Sequence, residues 1–91
     1  MSSVTDVRFR ASRRDLADSG LLAWASFRLA GVRFLDIGLR RTLEGQYVLS
    51  WPRSRTGRGR DHCCVYPADD ASREALKAQI VAEAKRQGVI P

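Results

Sequence analysis

Apolar and polar residues alternate with a period of two along most of the chain, then shift to helical spacing near its end. Val4 to Arg10 puts Val7 and Phe9 on one face and Arg8 and Arg10 on the other, which predicts a first strand. Leu21 to Leu29 predicts a second strand. Leu21, Ala23, Ala25, Phe27 and Leu29 share one face; Leu22, Trp24, Ser26 and Arg28 share the other. Ala30-Gly31 reads as a tight turn, with Gly31 free to take positive φ. Val32 to Arg41 predicts a third strand with Leu35, Ile37 and Leu39 as its apolar face, and Leu43-Glu44-Gly45 the next turn. Gln46 to Trp51 follows as a fourth strand, ended by Pro52, which cannot donate to a ladder. Residues 11–20 and 53–60 read as loops, and His62 to Tyr66 as a short fifth strand.

Beyond Pro67 the apolar spacing becomes i, i+4, i+8 at Leu76, Ile80 and Ala84. Asp69-Asp70 supplies an N-cap and acid for the first turn, Lys85-Arg86 base for the last, and Gly88 a stop. A helix of about 18 residues, roughly 27 Å long, is expected. The sum is an α+β fold: one domain over 1–91, an antiparallel sheet of about five strands, and one C-terminal helix. One helix covers one sheet face. Leu22, Trp24, Val32 and Phe34 lie on the other, so an apolar patch is left that self-association through the strands would cover.

Composition adds a direction. The net charge is +6, and all of the excess precedes the helix. Residues 1–61 hold twelve arginines against six acids, whereas residues 69–88 hold four bases and four acids. Arginine's planar fork suits phosphate. The loop Arg53-Ser54-Arg55-Thr56-Gly57-Arg58-Gly59-Arg60 is the strongest local signal: four arginines for bidentate phosphate contacts, hydroxyls to donate, and glycines that let the backbone approach. Arg53, Arg55, Thr56, Arg58 and Arg60 are therefore the main candidate nucleic-acid contacts, with Arg40, Arg41, Lys85 and Arg86 as additions. The expected partner is DNA or RNA, in a homodimer. The runner-up is a small dimeric adaptor whose same loop binds an acidic protein.

Other chemistry finds little support. The loop lacks the Gly-Lys-Ser/Thr ending of a phosphate-binding loop. His62, Cys63 and Cys64 are contiguous, unlike the spaced ligands of structural zinc, so no metal is expected. Only Cys64 shares a strand face with His62, Asp61 lies opposite, and no carboxylate pair is set apart for acid–base work. No catalytic residue, cofactor or small-molecule substrate is expected. No run approaches the ~18 apolar residues of a membrane span. Residues 1–10 carry no signal-peptide core, and the adjacent cysteines are poorly placed to pair, so a reduced cytoplasmic setting is expected.

These residues together resemble the SpoVG family, stage V sporulation protein G, also called septation regulators. Val4-Thr5-Asp6-Val7-Arg8 is similar to that family's first strand, and Ala25-Ser26 with Asp36-Ile37 to its central hairpin. The stretch from Trp51-Pro52 through Arg55-Thr56 and Gly59 to Pro67 resembles its Pro-Ser-x-Arg-Thr-x-x-Gly segment ending in His-Pro, without a gap. A helix beginning near Ser72-Arg73 follows, so the resemblance covers about residues 4–87. Arg58 and Arg60 stand where the family has acids, and His62, Cys63 and Tyr66 where it tends to arginine, aspartate and histidine. The resemblance implies a small α+β dimer that joins through its strands. It further implies site-specific DNA and RNA binding and gene regulation linked to septation and sporulation.

Overall fold

A computed structural model describes residues 3–11, 20–55, 61–63 and 65–91, the side chains of 53–55 and 61–63 excepted. It is an α+β arrangement. Strands β1 (Thr5–Ala11), β2 (Leu21–Leu29), β3 (Val32–Arg41) and β4 (Tyr47–Ser50) form one antiparallel sheet in the order β1-β2-β3-β4. Strands β5 (Arg53–Arg55) and β6 (Asp61–Cys63) pair in a separate two-stranded ribbon. Helix α1 (Asp70–Arg86) packs across the larger sheet.

The expected single sheet of about five strands is thus corrected to four strands plus a ribbon. Arg53–Arg55, read as loop, is strand. The strand expected at His62 to Tyr66 is β6 at Asp61–Cys63, and Val65 and Tyr66 lie past its end. Pro52 lies between β4 and the ribbon and, lacking an N–H donor, interrupts the ladder there. The loop expected at 11–20 falls largely outside the described residues, and so do Thr56, Arg58 and Arg60.

The turns follow their chemistry. Ala30 (φ +53°) and Gly31 (φ +78°) both take positive φ between Leu29 and Val32, the twist that a two-residue hairpin requires. At the β3–β4 turn, Thr42 accepts from Gly45 N–H at 2.9 Å and its hydroxyl accepts from Gln46 N–H at 3.1 Å.

Both ends of the helix are closed as the sequence predicts. The Asp69 carboxylate accepts from Ser72 N–H at 2.7 Å. At the other end Val89 N–H reaches Ala84 C=O at 2.9 Å and Gly88 N–H reaches Lys85 C=O at 3.2 Å, a complete Schellman motif with Gly88 at φ +78°. The motif turns the chain so that Ile90 is buried with Ala84 against Leu39. Ile80 packs with Ala25, Phe27 and Ile37 in the adjoining part of the core.

Three bulges decide which side chains reach that core. Pairing shifts by one residue in β1 between Thr5 and Arg8, in β2 between Leu21 and Ala23, and in β3 opposite Ala25 to Phe27. In β3 the inserted residue reverses the alternation beyond it. Phe34 therefore stacks on Phe27, ring centroids 5.3 Å apart, while Leu35 is 62% exposed. Leu22 packs against the Leu39–Ala84–Ile90 cluster, and Leu21 lies beside Gly38, where a β-carbon would meet its Cδ1 at 3.2 Å.

The apolar face expected at Leu22, Trp24, Val32 and Phe34 is corrected accordingly. Two of the four belong with the core, Trp24 is half-buried, and Val32 is exposed together with Leu35. Gln87 reaches back from the helix end to cap the Val7 carbonyl within the β1 bulge at 3.0 Å, supplying a donor where the ladder is interrupted.

Candidate nucleic-acid interface

Because β2 buries Ala25 and Phe27 against the helix, with Ala23 buried in step, its intervening residues face away from it. Register carries this to the neighbouring strands. Arg8 lies opposite Ser26, Arg10 opposite Trp24, and Arg28 opposite Arg33. Arg40, opposite Val48, belongs to the same side. One face of the sheet thus gathers Arg8, Arg10, Arg28, Arg33 and Arg40. Asp6 and Asp36 are the acids among them, so three formal positive charges remain in excess.

Those two aspartates occupy the bulges of β1 and β3 with φ +50° and +57°, a conformation that Asp tolerates better than most side chains. From there Asp6 accepts from Arg8 Nε at 3.1 Å and from Arg33, and Asp36 accepts from Arg10 Nη2 at 3.3 Å. Such exposed pairs add little stability. Their consequence is geometric: three guanidiniums are held against the sheet. Arg28 forms no ion pair with an acid among the described residues and stands directly opposite Arg33 in the ladder. Like charges facing each other across a ladder are destabilising, and an anion laid over the rung would relieve that repulsion.

The sequence-predicted contacts are spread over different surfaces. Arg53 and Arg55 occupy alternate positions of β5, opposite Cys63 and Asp61. Thr56, Arg58 and Arg60 lie outside the described residues. Arg40 and Arg41 are successive in β3 and so point to opposite faces, with Arg41 lying over Gly45. Lys85 and Arg86 sit at the end of the helix, in the layer on the far side of the sheet from Arg28 and Arg33. Arg86 is held in a forked contact by Glu83, with Nη2 to Oε2 at 2.7 Å. The structure therefore does not bring Arg41, Lys85 and Arg86 together with the arginine face.

Sequence reasoning does not single out Arg28 and Arg33. The signal that finds them is cross-strand pairing: counting outward from Ala30-Gly31, Arg28 and Arg33 must face each other.

Asp6 on this surface and two carboxylates of the helix, Asp69 and Glu83, are acidified. Arg33 and Arg8 hold Asp6 below the usual range, the Ser72 amide does so for Asp69, and Arg86 and Gln87 do so for Glu83. A group whose pKa is lower folded than unfolded contributes stability above its unfolded value, and the contribution is lost as pH falls through the folded value. Thermal midpoints should therefore hold near neutrality and decline as pH drops below the ordinary carboxylate range. Scans across that range check this, and Asp6→Asn together with Asp69→Asn should shallow the decline.

Among the described residues no helix is long and apolar enough to cross a membrane. Neither a scan against protein-family models nor a search of curated proteins finds a match to this chain.

Proposed function

We propose that this chain is a non-enzymatic, cytoplasmic DNA- and RNA-binding regulator of the SpoVG type. In this reading it contacts phosphates through the arginine face of the sheet and the arginine-rich hairpin 53–60. The observation that carries the proposal is the Arg28–Arg33 rung: two guanidiniums opposed in register, on a face that gathers five arginines. Phosphate contacts of this kind supply affinity and orientation without reading sequence. Any sequence preference would come from arginine at guanine edges. The gene-regulatory role linked to septation and sporulation rests on the resemblance alone.

Arg28→Ala tests the rung. Each neutralised phosphate contributes about −0.9 to the slope of log affinity against log salt on duplex DNA. The substitution should flatten that slope by about 0.9 per chain on every sequence. Arg73→Ala, on the exposed helix surface, should leave it unchanged. An unaltered slope in a folded Arg28→Ala protein contradicts the assignment.

In the same reading the chain acts as a homodimer joined through its strands. Exposed Val32 and Leu35 lie on one strand, and β1 and β4 end the sheet order with no further described partner. Sedimentation at micromolar concentration should give twice the chain mass, and Leu35→Lys should reduce it. A chain that remains monomeric at millimolar concentration contradicts the dimer.

A further inference from the structure

The ribbon β5–β6 springs from the rim of an apolar groove of about 220 Å³. Trp51 lines the groove just before β5, and Val65, Tyr66 and Pro67 line it after β6. Phe27 and Phe34 complete the aromatic lining. Trp51 is fixed edge-to-face on Phe34, ring centroids 6.4 Å apart at 87°. Tyr66 is 65% exposed, so one aromatic wall faces solvent. The volume lies below the roughly 300–1,000 Å³ of pockets that enclose whole small molecules. The groove therefore takes a flat fragment of something larger.

Charge around the groove names that fragment. No acid lines it. Arg53-Ser54-Arg55 begins two residues past Trp51, so the strand that leaves the groove's rim carries two arginines. Asp69, three residues beyond Tyr66, has its carboxylate engaged by Ser72 N–H. A ligand that fits must offer a flat apolar group flanked by anions.

We infer that the groove receives one unpaired nucleobase of a single strand, stacked against Tyr66 and Trp51, while a flanking phosphate runs along β5, the strand that carries Arg53 and Arg55. The inference rests on the nucleic-acid reading above and deepens it. Base–aromatic stacking tolerates any base, so the groove selects single strands over duplex rather than a sequence. In a duplex the bases are already paired and stacked, and the groove stays empty.

The test uses the full chain with three probes of equal phosphate count: a single-stranded oligonucleotide, its fully abasic counterpart and a duplex. Wild-type protein should bind the single strand about ten-fold more tightly than the abasic strand. Tyr66→Ala should lose that advantage and leave duplex affinity and the salt slope unchanged. The Tyr66 side chain is exposed, so circular dichroism should show the fold intact. The abasic comparison needs no variant and stands even if Tyr66→Ala unfolds. If abasic and ordinary strands bind alike, or folded Tyr66→Ala binds the single strand as wild type does, the groove is not a base site while the nucleic-acid reading survives. Absence of binding to all three probes overturns both. A Tyr66→Ala protein whose only change is a lower oligomeric mass overturns the inference too, because the groove is then a contact between copies of the chain.

Discussion

Ile80→Ala is expected to destabilise the protein by about 3–4 kcal/mol. Ile80 is fully buried and bridges the helix to Ala25, Phe27 and Ile37, so truncation removes transfer energy and leaves a cavity among residues that come from three different elements. A domain of this size has only about 5–14 kcal/mol in all. The loss should lower the melting temperature by more than about 10 °C. Urea denaturation followed by circular dichroism measures it directly. Ala82→Gln, on the exposed side of the same helix, should change stability by no more than about 0.5 kcal/mol. A small effect at Ile80 would mean that the helix does not seal the sheet as described.

The second large effect concerns binding. Replacing Arg55 and Arg58 together by alanine should weaken affinity for every DNA and RNA sequence. The hairpin carries four arginines within eight residues, or eight guanidiniums in a dimer. If half of the eight engage phosphates, the hairpin alone contributes about −4 to the salt slope. The double replacement should then flatten the slope by about 2. Folding should persist, because β5 and β6 pair with each other and not with the four-stranded sheet. The measurement is a set of titrations at several salt concentrations. A folded double variant with unchanged affinity and slope would leave the sheet face as the site and remove the hairpin from it.

The sequence was most legible where one local rule decides the outcome. Strands β2 and β3 begin and end where alternation and the Ala30-Gly31 turn predict, and the helix is closed by Asp69 and Gly88 as capping chemistry requires. It was least legible at the bulges. Period-two reasoning assumes no inserted residue, and one insertion at Asp36 exchanges the roles of Phe34 and Leu35. The insertion at Leu22 leaves Leu21, Ala23, Ala25 and Phe27 all buried, as alternation predicts. Nothing local announces an aspartate at positive φ, because the bulge it occupies and the arginines it meets are set by cross-strand register. Asp6 illustrates this: it pairs with Arg33, 27 residues distant in the chain.

The same reason governs the candidate site. An arginine cluster contiguous in sequence, such as 53–60, is visible to inspection. A cluster assembled by pairing, such as Arg8, Arg10, Arg28 and Arg33, requires the register first. Contiguity does not make one surface of Arg40-Arg41 and Lys85-Arg86. Strand alternation divides the first pair between faces, and Glu83 engages the second member of the other.

The central claim is that this chain binds nucleic acid through arginine–phosphate contacts. Fluorescence anisotropy of labelled single-stranded DNA and RNA, titrated with wild-type protein across a series of salt concentrations, tests it most directly. The account predicts saturable binding to both, with log affinity falling linearly against log salt at a slope steep enough for several released counterions. Absence of binding at low salt, or binding that salt does not weaken, would contradict it.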